Sequence, residues 1–352
     1  MQLSSLRSFN VSTPLLVSVV LFATVDWDHR PDYGPADGGQ MGRVFSERFE
    51  WVLEDAEMRV DGQPLGLDLP PVEAEGSRRI VTESIFKTDE EGQVAAEERS
   101  FGKLTGDFSM SLEMNGESLE YPFGLVSPLA GESVVFTRDE DGEFGASWVG
   151  DSDRDEALLG GLSHLADFQA LLPTESVGEG DTWEVPPRQV WSLLAPGGDV
   201  HFQPEDTLES DHIVPRGALA ATGSFALSDA FGDDLDGDLE LEFQGVEERG
   251  ERNVASMLIK LSGVVARDRS IAFASALGLA QEDCLFEYEL DLTGEGKLLW
   301  DMDANLPLSM ELTVEFSATS EVTWPEHVDN NIETFRATYE VSGESVLMFK
   351  TE

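Results

Sequence analysis

The chain has 352 residues, with 70 Asp and Glu against 22 Lys and Arg, which gives a formal net charge of −48. A field of this sign repels phosphate backbones and anionic headgroups, so the composition argues against nucleic-acid binding. Apolar residues make up 41% of the sequence, enough for a real core. We therefore expect a folded protein adapted to salty surroundings, with cations as its natural counterions.

The N-terminal residues have a pattern typical of an export signal. Arg7 is the only charge before the apolar run Pro14–Val25, which has the length of a signal-peptide core and is too short for a membrane span of ~20 residues. We predict a signal peptide over residues 1–25, with an uncleaved anchor as the alternative, and no integral membrane span. Residues 26–42, rich in Gly, Pro and Asp, are expected to be a flexible lead-in. The expected location is the periplasm, the outer cell surface or the medium.

Period-two alternation of apolar and polar residues predicts β-strands along much of the chain. The longest run covers Leu308–Trp324, and shorter ones cover Phe108–Met114, Leu239–Phe243 and Phe335–Val341. Strands with one apolar face belong to antiparallel sheets. Turn-forming pairs such as Asp61-Gly62 and the segment Gly294-Glu295-Gly296 are expected to be hairpin connections. The predicted fold is mainly β, a curved, half-barrel-like antiparallel sheet packed on short helices.

Three helices are predicted. The first covers 152–172, where Ser152 and Asp155 resemble a capping box, an apolar stripe follows and Pro173 ends the pattern. Shorter helices are expected at Pro187–Leu194 and Ile271–Leu279. Residues 43–352 are expected to form one large β-rich domain. The alternative is two β halves, 43–150 and 196–352, joined by a helical segment at 152–195.

The chemical motifs are weak. The segment Gly161-Leu162-Ser163-His164 lacks the second glycine of a nucleophile elbow, so no catalytic residue is assigned. The five histidines show no metal-binding spacing. The one cysteine, Cys284, has acidic neighbours that disfavour a thiolate, so we expect a buried core thiol.

An acidic segment at residues 233–238 is the best metal candidate, and no other cofactor is predicted. Calcium prefers hard oxygen ligands around a tight glycine turn, which this segment offers around Gly237. The candidate ligands are Asp233, Asp234, Asp236 and Asp238. The positions that would be first and twelfth in an EF-hand loop, Gly232 and Phe243, are not acidic, so an acidic hairpin turn is the alternative.

Two segments carry a resemblance. Leu171–Trp183 contains a proline followed by Gly178-Glu179-Gly180-Asp181-Thr182-Trp183, and Gly294–Asp301 leads through Leu306-Pro307 into the long amphipathic strand. In these segments the chain resembles exported bacterial β-rich proteins without an established activity. Its strand layout is similar to that of LolA-like half-barrel carriers of lipoproteins and lipids. The resemblance implies a curved sheet that could hold an apolar molecule.

The leading functional hypothesis is a non-enzymatic binding or structural protein of the envelope. Its partner would be an apolar small molecule or another envelope protein. One face of the predicted sheet would be either an ordinary core or the wall of a ligand cavity. The candidate residues on this face are Met110, Leu112, Met114, Met310, Leu312, Val314 and Phe316. The alternatives are a secreted hydrolase that uses unidentified carboxylates and a calcium-dependent surface protein.

Overall fold

The computed structural model describes residues 40–64, 72–89, 94–114, 117–139, 142–150, 154–164, 168, 171–186, 189–194, 197–198, 200–205, 236–268, 270, 284–328 and 331–351. The strands are β1 (Gln40–Val60), β2 (Gln63–Pro64), β3 (Val72–Thr88), β4 (Val94–Met114), β5 (Glu117–Val126), β6 (Ser133–Arg138), β7 (Phe144–Trp148), β8 (Thr182–Val185), β9 (Gln203–Pro204), β10 (Asp236–Arg249), β11 (Arg252–Asp268), β12 (Leu285–Asp301), β13 (Leu306–Val328) and β14 (Asn331–Thr351). A 3-10 helix spans Glu156–Leu159 and a five-residue helix, α1, spans Val190–Leu194. The signal peptide and most of the lead-in lie outside the described residues.

All fourteen strands belong to one antiparallel sheet. Its main path runs in the order β7-β6-β4-β3-β1-β14-β13-β12-β11-β10-β8, and sequence neighbours pair along it except at β6–β4, β3–β1, β1–β14 and β10–β8. Because β1 pairs with β14 along most of its length, the strands before and after residues 152–195 share this sheet. The prediction of a mainly β, antiparallel fold is confirmed, and among the described residues the sheet does not close on itself.

The long strands follow from the alternation in the sequence. In β13 the even-numbered residues from Met310 to Val322 face one side, where Leu312 and Val314 are fully buried. The odd-numbered residues, mainly Glu, Ser and Thr, face water. We call these two sides of the sheet the covered face and the exposed face.

The covered face is packed against the chain between β7 and β10. We call the described parts of residues 154–205, apart from β8 and β9, the covering segment. It contributes buried apolar side chains to the same cluster as sheet residues such as Trp300, Leu312 and Leu347. These contributed residues are Phe168, Leu171, Leu172, Val177, Val190, Leu193, Leu194 and Val200. This cluster is the main core.

The prediction of a sheet packed on helices is wrong. Within 154–164 only Glu156–Leu159 is helical, as one 3-10 turn that Asp155 caps by accepting a hydrogen bond from the Ala157 amide. Gly160 and Gly161 then end it, since Gly161 adopts a φ of 85°, which a helix does not allow. Leu162 instead forms an isolated bridge with Gly198.

Within the helix predicted at Pro187–Leu194, residues Val190–Leu194 form α1, and residues 187–188 lie outside the described residues. The helix predicted at Ile271–Leu279 lies outside the described residues. Within the part of the chain that the structure describes, no helix combines the length and apolar character that a membrane span requires.

One hairpin prediction is confirmed and one is wrong. Asp61 and Gly62 have φ values of 47° and 78° and form the turn that follows β1. Gly294 and Gly296, by contrast, lie inside β12 rather than in a turn. A Cβ atom at Gly296 would lie 2.4 Å from the carbonyl oxygen of Glu311, so the glycine allows β13 to approach closely.

Candidate functional site

The most unusual feature of the covered face is a group of charged and polar side chains with almost no solvent exposure. Ser84 on β3 and Glu97 and Arg99 on β4 point to the same side as the core residue Phe86. His164 comes from the covering segment, just after the turn at Gly161. Ser84 and Glu97 are 0% exposed, Arg99 is 1% and His164 is 6% exposed. We call these four residues the buried ion cluster.

The carboxylate of Glu97 is the centre of the cluster. Its Oε1 accepts hydrogen bonds from Ser84 Oγ at 2.6 Å and from Arg99 Nε at 3.0 Å. Its Oε2 accepts one from Arg99 Nη2 at 3.1 Å and lies 3.3 Å from His164 Nε2. The pair with Arg99 is thus bidentate, the geometry in which a guanidinium and a carboxylate bind most strongly.

Arg99 also ties the covering segment to the sheet. Its Nη1 donates to the carbonyl of Gly197 at 3.1 Å, and its Nη2 donates to the carbonyl of Ser163 at 2.9 Å. These carbonyls flank the bridge between Leu162 and Gly198. A Cβ atom at Gly198 would lie 2.1 Å from the carbonyl oxygen of Gly161, so this junction requires glycine.

The cluster has shifted pKa values. Burial alone would raise the pKa of Glu97, but the charge and hydrogen bonds of Arg99, together with His164 and Arg43, lower it to about 2. Burial lowers the pKa of His164 to about 4; Glu97 opposes this shift, and Arg99 and Arg43 add to it. At neutral pH the cluster therefore holds an ionised Glu97 and a neutral His164.

Aromatic rings enclose the cluster. The His164 ring stacks on Phe144 with centroids 3.8 Å apart and planes within 4° of parallel. The Arg99 guanidinium carbon lies 4.4 Å from the centroid of Phe136. These rings exclude water from the charged groups, which strengthens their attraction and raises the cost of breaking it.

A second buried pair lies on the neighbouring strands. Arg78 Nε donates to Glu47 Oε2 at 2.8 Å across the β1–β3 pairing, and Ser345 Oγ donates to Glu47 Oε1 at 2.9 Å. The Arg78 guanidinium carbon also lies 5.7 Å from the ring centroid of Phe202 in the covering segment. Both buried pairs therefore join sheet strands to the covering segment.

The arrangement of the buried ion cluster is that of an ion pair rather than of a catalytic triad. In a triad the histidine lies between the nucleophile and the acid, so that it can take the hydroxyl proton. Here Ser84 donates to the carboxylate of Glu97 directly, and Arg99 engages both carboxylate oxygens. The groups hold the chain together and present no reactive atom to a cleft.

An open groove of about 590 Å³ lies on the exposed face, across β1, β11, β12, β13 and β14. Its carboxylates are Asp55, Asp268, Glu287, Glu289, Glu321 and Glu340. In the strand register Glu287 stands directly between Asp268 and Glu321, so three acids form one row. Arg336 binds Glu321 at 2.6 Å and partly balances this row.

The calcium candidates are only partly described. Asp233 and Asp234 lie outside the described residues. Asp236 and Asp238 lie on the exposed face of β10, opposite Val264 and Ser262, and Gly237 is part of the strand rather than of a turn. Within the described residues no group of three or more His, Cys, Asp or Glu is arranged to hold a metal ion. The calcium site stays a prediction.

Five of the apolar candidates, Met110, Met310, Leu312, Val314 and Phe316, lie on the covered face. Met310, Leu312 and Val314 belong to the main core, and Phe316 packs against it. Met110 is buried as well, and Leu112 and Met114 follow it on β4. Cys284 is also buried, beside Val322 in a smaller apolar cluster.

The two segments that carry the resemblance form strand connections. Trp183 Nε1 donates to the carbonyl of Leu171 at 2.8 Å, and Asp181 Oδ2 accepts from the Gly178 amide at 2.7 Å. At the end of β12, Asp301 Oδ1 accepts from the amides of Asp303 and Ala304, which closes the turn into β13. Their tryptophans and aspartates therefore stabilise the turns.

Sequence reasoning missed the buried ion cluster and the buried pair of Glu47 with Arg78. A signal does exist, because Arg43 and Glu47 occupy positions in β1 where the alternation Met41, Phe45, Phe49 requires apolar residues. Charges of opposite sign at core positions indicate buried pairs. The partners of these charges come from other strands, so only the three-dimensional register identifies them.

No family model and no curated protein matches the chain. Among solved structures it is similar to an outer membrane channel from Pseudomonas putida F1, with 7% identity, coverage of 92% of this chain and 100% of the other, and a TM-score of 0.23. It is also similar to Pseudomonas aeruginosa OccK2, with 8% identity, 90% and 99% coverage and a TM-score of 0.16. A third match is the outer membrane protease OmpT from Escherichia coli, with 6% identity, 89% and 96% coverage and a TM-score of 0.14.

The predicted similarity to LolA-like carriers is wrong, because the matched structures are outer membrane proteins of these other kinds. TM-scores this low do not establish a common fold.

Proposed function

We propose that the protein is an exported, non-enzymatic component of the cell envelope, a structural or binding module that meets its partners through the exposed face of the sheet. In this proposal the covered face is a solid core rather than the wall of a ligand cavity. The observation that carries it is the complete burial of Leu312 and Val314 in the main core, beneath the covering segment.

The charge distribution supports the same proposal. Acids line the exposed face, and the groove at Glu287 is open to solvent. Strongly acidic surfaces attract cations and basic partners over distances that shrink with ionic strength. The buried Ser84, Glu97 and His164, which have the side chains that hydrolases use, are engaged with each other or with Arg99.

The test compares Leu312→Ala with Thr313→Ala, its neighbour on the other face of β13. A core position loses roughly 2–5 kcal/mol of unfolding free energy when a leucine is shortened to alanine. The exposed-face control is expected to change it by less than about 0.5 kcal/mol. Chemical denaturation at high salt measures both.

Native mass spectrometry of the mature protein, purified from its own cells in high salt, completes the test. The proposal predicts that no apolar molecule co-purifies in stoichiometric amount. A bound lipid, together with a Leu312→Ala variant as stable as the parent, would show that the covered face is a binding cavity.

A further inference from the structure

Strand β7 forms one end of the main path of the sheet. It pairs with β6 in a register that sets Phe136 opposite Ala146. On either side of this ladder the Asp139 amide donates to the Glu143 carbonyl at 2.8 Å, and the Val149 amide donates to the Ser133 carbonyl at 3.1 Å. The ladder is regular between these two bonds.

This register fixes which backbone groups of β7 point outward. Residues of an antiparallel pair alternate between those that exchange hydrogen bonds and those that do not. Because residues 143 and 149 bond to β6, the even-numbered residues Phe144, Ala146 and Trp148 turn their N–H and C=O groups away from it. Within the described ranges these groups have no backbone hydrogen bond.

The edge lacks the usual protection against pairing. Natural edge strands carry charges, prolines or bulges that prevent the addition of another strand. The sequence Phe144-Gly145-Ala146-Ser147-Trp148 contains no charge and no proline, and its pairing with β6 has no bulge. The strand at the opposite end, β8, has Glu184 in its short span. In a chain with a net charge of −48, an edge strand with no charged residue of its own is a local exception; the nearby charge of Arg154, whose guanidinium carbon lies 5.2 Å from the Trp148 ring centroid, is positive.

We propose that β7 is a self-association edge, at which two copies of the chain pair antiparallel with Ala146 opposite Ala146. The outward-pointing groups require even-numbered residues to pair with even-numbered residues, and the centre at Ala146 is the register that pairs all five residues of β7. The register then sets Phe144 of each copy opposite Trp148 of the other, on the covered face. Cross-strand aromatic pairs of this kind are favourable, and the small Gly145 and Ser147 meet on the exposed face without a steric clash.

The charge of the protein makes this pairing dependent on salt. Two acidic chains repel each other over about 10 Å in 0.1 M salt, and over only about 3 Å in 1 M salt. Sedimentation velocity of the full chain is therefore expected to show dimers at about 2 M NaCl and monomers at about 0.1 M NaCl.

Ala146→Pro removes an outward N–H donor without removing a bond to β6. It is expected to weaken the dimer by about tenfold or more, since one hydrogen bond is lost from each copy. Glu184→Pro on β8 is the matched control and should leave dimerisation unchanged. Should the proline variant fail to fold, Ser147→Glu adds like charges at the junction and should weaken the dimer more at low salt than at high salt.

Cysteine cross-linking tests the register. Residues that exchange hydrogen bonds across an antiparallel pair have Cα atoms about 5.5 Å apart, within disulfide range. Ala146→Cys should therefore form a disulfide-linked dimer on oxidation, and the native Cys284 is buried. Ser147→Cys is the control, because its two copies lie diagonally, about 7–8 Å apart. A monomer at every salt concentration, or cross-linking at Ser147→Cys but not at Ala146→Cys, would overturn the proposal.

Discussion

His164 makes the stability of the protein sensitive to acid. Its pKa is about 4 in the folded chain, against 6.5 for an ordinary histidine. Below about pH 6.5 the His164 side chain binds a proton in the unfolded chain, whereas in the folded chain it stays neutral down to about pH 4. The free energy of unfolding therefore decreases as the pH falls through this interval. The loss amounts to roughly 3 kcal/mol at most, at about 1.4 kcal/mol for each pH unit.

Denaturation curves between pH 7 and pH 4 measure this effect in the parent and in His164→Gln. The variant should show a flatter dependence on pH over this interval, whatever its stability at pH 7. Below about pH 4.5 the free energy of unfolding of both proteins decreases further. The reason is that the lowered pKa of Glu97 stabilises the folded state only while this carboxyl is ionised in the unfolded chain. Parallel curves for the two proteins would mean that His164 does not titrate as described.

Arg99→Met tests the bond between the sheet and the covering segment. It leaves Glu97 charged and buried without its main partner, which costs roughly 3–5 kcal/mol of unfolding free energy. The same change at Arg249, whose pair with Glu247 is exposed, should cost less than about 1 kcal/mol.

The double variant Glu97→Leu with Arg99→Met removes both charges. It should be more stable than Arg99→Met alone, since no isolated charge remains in the core. Urea denaturation of the three proteins and the parent gives all these values. A double variant less stable than Arg99→Met would show that the charges are not coupled.

At the scale of the element, the glycines of β12 have a packing role. In Gly296→Ala the added methyl group would overlap the Glu311 carbonyl oxygen and lie 2.9 Å from the Leu312 Cα. Because both obstacles belong to the backbone of β13, the strands must separate, at a cost of roughly 1–3 kcal/mol. Gly145→Ala is the control, since a Cβ atom there has no neighbour within 4 Å. Thermal unfolding of both variants distinguishes a tight strand contact from a general cost of losing glycine.

The strands could be predicted from sequence because their alternation is a local signal. The run around Leu312 extends in the structure to the 23 residues of β13. The covering segment could not be predicted in the same way. Its apolar residues have helical spacing, but they serve as separate anchors on the sheet, and Gly160 and Gly161 interrupt the pattern. Likewise, the pairing of β1 with β14 and the contact between Arg99 and Gly197 join residues far apart in the chain, which no local pattern encodes.

At the scale of the whole molecule, the net charge of −48 opposes folding, because folding brings the acids close together. The row of Asp268, Glu287 and Glu321 shows this locally, since like charges directly opposite each other on neighbouring strands destabilise a sheet by a few tenths of a kcal/mol or more. Salt screens these repulsions, so the melting temperature should rise with NaCl concentration.

Glu287→Gln separates this electrostatic effect from a general effect of salt on proteins. The change removes the central charge of the acidic row, so it should raise the melting temperature at low salt. This increase in melting temperature should become smaller towards about 1 M NaCl, where the screening length is ~3 Å. Glu240→Gln, whose Oε1 lies 3.4 Å from Lys260 Nζ on the exposed face, removes an attraction instead and should lower the melting temperature at low salt. Differential scanning calorimetry across a salt series measures both shifts. If the two variants shift in the same direction, local charge pairing does not determine how the fold responds to salt, and the stabilisation must come from ions excluded from the surface as a whole.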